Sequence, residues 1–560
     1  MIDFFGKIYS KVRKLDDYTK KYLEFANNID FPAFAYMNWG LYLAEIKDYK
    51  AAIEKLETAM LMNRGTPKPC VSMGIIYAKM KDYEKARDVL FEAIRRDSKN
   101  ANAYSVLSSI YVAQDKFPLA LEALRKAVKL APYDAEIYLN YGILYAKMQK
   151  KSKAIEMFRK SIFYDHTNIH AAFLLGVMLF ETGKTDEALS EFSLIEKTNP
   201  KYKKLNYYIA LCCEKEKKYP LMIEYGIKAL NEEPDNPDVY IFLANTYSNL
   251  NNKSMVYKIY ELGKHEGIND FDFFLSAGIM FIKYNDIEKA KNYIKEALLM
   301  YPNSSDALYR MGVCLHKENN LIDSIQYLNK AISFNENNFL AICELGVIQY
   351  EMKDYENALS NLYKAINISK DKNFIYFYLA NCYYKMGKIK QSIKYYEKTL
   401  EYYPENIEAL INITICFVET HNYKEALRKI RNAYQVDRNS MKVLLMYSLV
   451  DIKCGIYSDS IEKAELILKE APNNDKAKII KAWALINTRE AQKAIDLINS
   501  LSEKSTELFY YLSYLGYKIL VEENTSHYNE SMLKLYSEKI KGIDLEEVNK
   551  NGLIRYIINK

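Results

Sequence analysis

LNYGILYAKMQKKSKAIEMFRKSI, residues 139–162, reads as two helical segments joined by a short polar turn, and Gly142 sits in its most apolar stretch. Glycine inside a helix costs roughly 1 kcal/mol relative to alanine, so its presence there needs a cause. The cause is a period. Steps of 34 residues meet Gly40, Gly74, Ser108, Gly142, Gly176, Ala210, Ala244, Gly278, Gly312, Gly346, Ala380, Thr414, Ser448, Ala482 and Gly516, all of them small. Twelve residues after these positions a second small residue recurs, as at Ala52, Ala86, Ala154, Ala290 and Ala358. One phase held across most of a chain marks a repeat array.

Each repeat has the same layout. An apolar helical run leads, for example AEIYLNYGILYAKM at 135–148; a polar turn follows, with Lys-Asp-Tyr in one phase at Lys47, Lys81 and Lys353. A second, amphipathic helix comes next, and proline stops it in phase at Pro132, Pro200, Pro234, Pro302, Pro404 and Pro472. Two antiparallel helices approach at the short end of the packing range only where the side chains at the crossing are tiny. Gly142 on the first helix and Ala154 on the second are expected to form that crossing, with Gly40, Gly74, Gly176, Gly278, Gly312 and Gly346 doing the same elsewhere.

The bulk numbers agree with an array and exclude several function classes. Eighteen glycines and twelve prolines in 560 residues are too few for the turns of a sandwich or barrel. Seventy-eight basic against 72 acidic residues leave a formal charge of +6, no footprint for duplex nucleic acid. Asp3 and Lys7 interrupt any secretory signal core, and apolar runs such as 171–183 fall short of a membrane span. A cytoplasmic location is the expectation, with the eight cysteines reduced.

The 34-residue unit resembles the tetratricopeptide repeat (TPR). Residues 135–168 carry the pattern through Tyr138, Tyr141, Gly142, Tyr145, Ala154, Phe158 and Ser161, and residues 271–304 through Phe274, Gly278, Phe281, Ala290, Ala297 and Pro302. The resemblance implies an all-α fold, an α-solenoid wound as a right-handed superhelix. Fourteen frames follow: 33–66, 67–100, 101–134, 135–168, 169–202, 203–236, 237–270, 271–304, 305–338, 339–372, 373–406, 407–440, 441–474 and 475–508. Residues 509–560 read as a degenerate fifteenth unit and a final helix that caps the open end. Residues 1–32 precede the array; Phe5, Ile8, Tyr9 and Val12 form a stripe that suits a cap on the first repeat, or peripheral membrane contact through residues 1–20.

The pattern frays at Met222 and Val256, which replace alanine, and at Gly263 and Gly267; altered packing and a change of curvature are expected over residues 215–270. The frames from 441 to 508 are weak, with Asp451 and Ile467 off pattern.

No chemistry-bearing motif emerges. His166 and His170 are four apart but straddle an inter-repeat turn, without a third ligand nearby, so no metal is expected. Cys212, Cys314, Cys382 and Cys416 share one small packing position, and no CxxC, nucleophile elbow or phosphate loop is present. We expect no catalytic residues, no cofactor and no enzyme activity.

In the family, first helices line the concave face and touch ligands. Carried onto this sequence, the inner positions are mostly apolar, with a mainly basic edge that includes Lys283, Lys317 and Lys385. These apolar residues either pack against neighbouring helices or form an open groove. The candidates for an open surface are Phe173, Phe180, Asn245, Tyr309, Tyr350, Phe377, Asn381 and Tyr384. The lysine–asparagine clamp of chaperone adaptors and the asparagine ladder of sugar-transferring relatives are missing. The expectation is a non-enzymatic scaffold whose protein partners dock on the concave face as helical or extended apolar segments edged by acidic residues. Two alternatives stand beside it: an accessory subunit of a membrane-associated envelope or motility assembly, and a regulatory module for a separately encoded glycosyltransferase or other enzyme.

Overall fold

Short polar side chains and one left-handed residue per turn set where the helices start and stop. In a computed structural model that describes residues 32–368, 373–523 and 526–559, the backbone turns through positive φ between the two helices of the pair in each of the fourteen 34-residue frames. Lys47, Lys81, Lys217 and Lys353 do so, as do Asn251, Asn285, Asn319, Gly183, Gly387 and Gly455, all between the two helices of a pair. The next residue then caps the second helix: Asp48, Asp82, Asn252 and Asp286 each accept a hydrogen bond from a backbone N–H three residues on. Asn100, Asn168, Asn338 and Asn474 cap the following first helix in the same way.

The chain divides into two compact units, residues 1–269 and 270–560. The first holds α1 (Pro32–Glu45) to α14 (Lys253–His265), and the second α15 (Phe271–Lys283) to α32 (Leu553–Asn559). No strand occurs among the described residues. Within each unit the helices pack as consecutive pairs, and first helices also pack on the first helix of the next pair: α3 (Lys68–Lys79) on α5 (Ala101–Ala113), α15 on α17 (Ser305–Lys317), α25 (Met441–Lys453) on α27 (Asp475–Asn487). That crowding puts first helices on the inner face. This is an all-α solenoid of tandem helix pairs. The N-terminal stripe of the sequence reading lies outside the described residues.

The crossing inside each pair sets a small residue against a large one. In the pair α7 (Ala135–Lys147) and α8 (Lys151–Tyr164), a Cβ added to Gly142 would collide with the ring of Phe158, which is fully buried. The nearest group is therefore Phe158, one turn beyond Ala154, although Ala154 is itself fully buried. The same geometry recurs: Gly74 against Leu90 (2.7 Å to Cγ), Gly176 against Phe192 (2.5 Å to Cε1), Gly278 against Ile294 (2.5 Å to Cγ1) and Gly346 against Leu362 (2.9 Å to Cγ). A Cβ added at Gly40 or Gly312 would also lie 3.0 or 3.4 Å from the backbone carbonyl oxygen of Ala52 or Ser324. Ala86, Ala290 and Ala358 are fully buried in their pairs.

The frayed segments solve the same packing problem differently. In α12 (Tyr219–Glu232) the large and small positions are exchanged: Met222 is buried where alanine is usual, and Gly226 sits one turn later. The space goes to the neighbouring pair, since a Cβ on Gly226 would lie 2.6 Å from Leu243 Cδ2. The preceding α11 (Leu205–Glu214) has 10 residues where most first helices here have 13, and Lys204 at its start is left-handed. In the weak thirteenth frame Asp451 is 1% exposed, and its Oδ2 lies 2.9 Å from the Lys463 ammonium. Burial still wins over that partner and pushes the carboxyl up to about 6.

The C-terminal segment departs from expectation. After the pair α29 (Glu507–Glu523) and α30 (His527–Lys539), residues 545–559 form α31 (Leu545–Glu547), a π turn at 548–552 and α32. Rather than capping the open end, this segment runs back over first helices: the π turn packs on α29, and α32 on α27, α25 and α23 (Ile407–Glu419). The second helix of that pair, α30, has no buried residue. The physical reason is the apolar face of α32, where Leu553, Ile554 and Ile557 are all buried in the core of the last pairs.

Three expectations follow from these packings. Gly142→Ala gains helix propensity of about 1 kcal/mol but overpacks Phe158 by roughly 1–3 kcal/mol; urea melts should read a net loss, and adding Phe158→Leu should recover most of it. Lys353→Gly relieves a strained left-handed residue (φ 65°) and should raise the thermal midpoint, by up to ~1 kcal/mol of stability. Asp451 in the native state keeps a proton that the unfolded chain, at the ordinary value near 4, releases. Stability should therefore fall as pH rises from about 4 to about 6, and in Asp451→Asn that slope, read by melts across the range, should flatten.

Candidate functional site

The candidates from the sequence separate into two groups once packed. Phe173 is 8% exposed and wedged among Phe192, Tyr202 and Tyr208, with ring centroids 4.9–5.7 Å away. Tyr309 is equally buried, and burial pushes its hydroxyl up to about 12. Phe180 and Asn245 are half-buried, Phe180 edge-on to Tyr208 at 6.3 Å. Lys283 and Lys317 are exposed on α15 and α17. None of these six lines the cavity formed by the other five. For Phe173 and Tyr309 the apolar inner position serves the helix next door, which is why they are core.

The other five converge. Tyr350 on α19 (Phe339–Glu351), and Phe377, Asn381, Tyr384 and Lys385 on α21 (Asn373–Lys385), line one cavity of about 490 Å³. They are joined there by Tyr396 from α22 (Ile389–Tyr402), by Glu408, Ile411, Asn412 and Ile415 from α23, by Lys442 from α25, and by Ile558 of α32. Nearly all of the wall comes from consecutive first helices, hence from the inner face. Its lining combines half-buried apolar side chains (Phe377, Ile411, Ile415) with the buried polar groups of Asn381 and Tyr396.

Hydrogen bonds fix the polar part. The Tyr396 hydroxyl, from a ring 1% exposed, donates to Asn381 Oδ1 at 2.5 Å, and Asn412 Nδ2 donates to the same oxygen at 3.4 Å. The Tyr384 hydroxyl donates to Glu419 Oε1 at 2.7 Å; burial and that carboxylate together raise its pKa. Glu408, Lys385 and Lys442 leave the rim with one more positive than negative charge. One first helix further back, His316 bridges Glu344 (Nδ1–Oε1 2.7 Å) and Glu351 (Nε2–Oε2 2.9 Å), and these carboxylates push the imidazole up to about 9. His316 is thus a cation that ties α17 to α19.

The arrangement offers apolar contact, hydrogen-bonding groups and charge to a ligand. Cys212, Cys314, Cys382 and Cys416 are buried and pushed up to about 12 by desolvation, so they are protonated packing residues. His170 Nδ1 is 2.8 Å from the Tyr202 hydroxyl, and no group of three or more metal-ligating side chains is found among the described residues. No described helix is long and apolar enough to cross a membrane.

Sequence reading missed the contribution of the C-terminal segment. Lys453 donates to the carbonyls of Asn549 (3.3 Å) and Lys550 (2.8 Å), and its ammonium lies 5.6 Å from the Trp483 ring centroid. Burial pushes that ammonium down to about 8. Lys476 donates to the carbonyl of Ile557 at 2.7 Å. The apolar spacing in LIRYII, 553–558, was the available signal; its partner face could not be read from it.

Residues 80–205 match the TPR domain of cytochrome c-type biogenesis protein H. Tetratricopeptide repeat models match 278–338, 341–372 and 374–406. No curated protein matches the sequence significantly. Among solved structures the chain is similar to the APC/C hetero-tetramer Cut9–Hcn1, with 16% identity over 80% of this chain and 96% of that one at a TM-score of 0.42. It is also similar to the human IFIT1 dimer with PPP-AAAA (15% identity, 66% and 91% covered, TM-score 0.38) and to Pseudomonas aeruginosa pilF (20% identity, 40% and 96% covered, TM-score 0.33). Helix pairs in a 34-residue phase, together with four separate matches to tetratricopeptide models, make this chain a tetratricopeptide-repeat protein of many tandem units.

Proposed function

We propose that this chain is a non-enzymatic scaffold that holds protein partners along the inner face of its second unit. The observation that carries the reading is the cavity bounded by α19, α21, α23 and α25. Half-buried aromatic and aliphatic side chains supply contact area, while hydrogen-bonded amides and hydroxyls hold its shape before a ligand arrives. Such preorganisation keeps the ordering cost of binding low, and aromatic anchors in a partly enclosed pocket are the usual centre of a protein interface. The ligand that fits is a helical or extended segment with apolar anchors and acidic neighbours, because Lys385 and Lys442 stand at the rim. A cytoplasmic location accompanies this reading, and no cofactor is needed for it.

A second reading has one observation in its favour. The match of residues 80–205 to the TPR domain of a cytochrome c-type biogenesis protein supports a role as an accessory subunit of an envelope assembly, with docking rather than catalysis again the task. Regulation of a separately encoded glycosyltransferase or other enzyme would use the same inner face.

Phe377→Ala and Tyr384→Ala test the main reading. Both side chains are half-buried at the cavity, so each variant should keep a cooperative melt while capture of lysate partners, compared by quantitative mass spectrometry, falls at least about tenfold, the equivalent of ~1.4 kcal/mol. Partner capture that survives both substitutions in folded protein would sink it. So would reproducible turnover by the purified chain.

A further inference from the structure

The cavity bounded by α19, α21, α23 and α25 contains a hydrogen-bond donor that the protein itself leaves unused. Asn381 lines that cavity although the residue is only 9% exposed. Its Oδ1 is engaged twice, by the Tyr396 hydroxyl at 2.5 Å and by Asn412 Nδ2 at 3.4 Å. Two donors at one oxygen fix which way round the amide lies. Nδ2 is then left without an acceptor among the described residues. It is not one of the polar atoms walled off inside the protein, so the cavity is its outlet. A ligand that fills the cavity displaces solvent from this nitrogen, and must bring an acceptor or leave a buried donor unpaired.

The neighbouring amide narrows the choice of acceptor. Asn412 is half-buried; it spends Nδ2 on Asn381 and keeps Oδ1 as an acceptor that no donor among the described residues meets. A free donor on one amide beside a free acceptor on the next matches a group that carries an acceptor and a donor side by side. A primary carboxamide does so, because its oxygen and its NH2 sit on one carbon. A trans peptide group does not, since its C=O and N–H point to opposite sides. A carboxylate offers acceptors alone, and the buried part of the lining holds no cation for it. Burial pushes the Tyr396 hydroxyl up, and the groups acting on it next are Cys416, Asn412, Tyr350 and Ser392, all uncharged at neutral pH. Lys385, Glu408 and Lys442 are exposed, too far into solvent to offset the cost of burying a carboxylate. We propose that this cavity reads the side-chain carboxamide of a glutamine or asparagine in the partner's docking segment. The carboxamide oxygen accepts from Asn381 Nδ2, its NH2 donates to Asn412 Oδ1, and Phe377, Ile411 and Ile415 pack against the residues that flank it. This assignment rests on the scaffold reading and adds the chemical class of the partner's polar anchor.

Benzamide is the probe, one ring for the apolar lining and one primary carboxamide for the amide pair. In saturation-transfer NMR titrations of the full chain it should bind at least about fivefold more tightly than benzoate or than N-methylbenzamide, which mimics a peptide group. Asn381→Leu, which keeps the size and removes the donor, should erase the preference for benzamide over benzoate. Where that variant loses its cooperative melt, Asn412→Ala on a half-buried side chain decides: the advantage of benzamide over N-methylbenzamide should vanish, and an unchanged advantage overturns the proposal. Tightest binding of benzoate overturns it in favour of a carboxylate, and equal binding of N-methylbenzamide in favour of a backbone amide. Absence of benzamide binding overturns it outright. Lysate partners lost on Phe377→Ala while the three probes bind alike would refute the carboxamide and leave the scaffold reading intact. Partners retained on Phe377→Ala while benzamide is preferred in an Asn412-dependent way would do the reverse.

Discussion

The structure depends on how closely two helices can approach at one point in each pair. A residue without a side chain, or with only a methyl or hydroxymethyl group, faces a large apolar residue on its partner helix. The large residue then lies flat against the facing backbone. Gly142 beneath the Phe158 ring is the clearest instance, and Gly74 beneath Leu90 repeats it with a different shape. The constraint concerns volume, not residue type. That is why α12 can place Met222 and Gly226 in the opposite order and pass the vacated space to Leu243 of the neighbouring pair.

From that constraint comes an inner face made of first helices, and with it a division of labour along the sequence. Most apolar inner positions are used up in holding one first helix to the next, as Phe173 and Tyr309 are. Around Phe377, Ile411 and Ile415 the same kind of position instead borders a cavity. Polar residues take a similar double role. Asn381, Asn412 and Tyr396 hydrogen-bond to one another, so the pocket keeps its shape. His316 as an imidazolium between two glutamates stiffens the adjacent first helices by the same logic.

Much of the candidate site was legible in the sequence because side-chain direction on a helix is fixed by phase. Tyr350, Phe377, Asn381, Tyr384 and Lys385 fall at inner-face phases of two successive frames, and they meet in one cavity. Phe173 and Tyr309 fall at the same phases and are core. Phase tells which way a side chain points and not how far away the next helix stands. The acidic partners of the inner edge escaped notice for a related reason: Glu351 and Glu419 read as solvated charges until His316 and Tyr384 are placed beside them.

By itself the sequence determined the period, the two-helix unit, the polar turn and the small residues at the crossings. All of these are local or short-range: each is decided within one frame by steric size, backbone preference and hydrophobic spacing. Tertiary structure alone decided where residues 545–559 lie. Their apolar face had to be buried somewhere, but whether on the last pair or back along the inner face depends on which surface nearby offers matching relief and ammonium donors for the helix carbonyls. Lys453 and Lys476 supply those donors about a hundred and about eighty residues earlier in the chain, a separation that no repeat phase encodes.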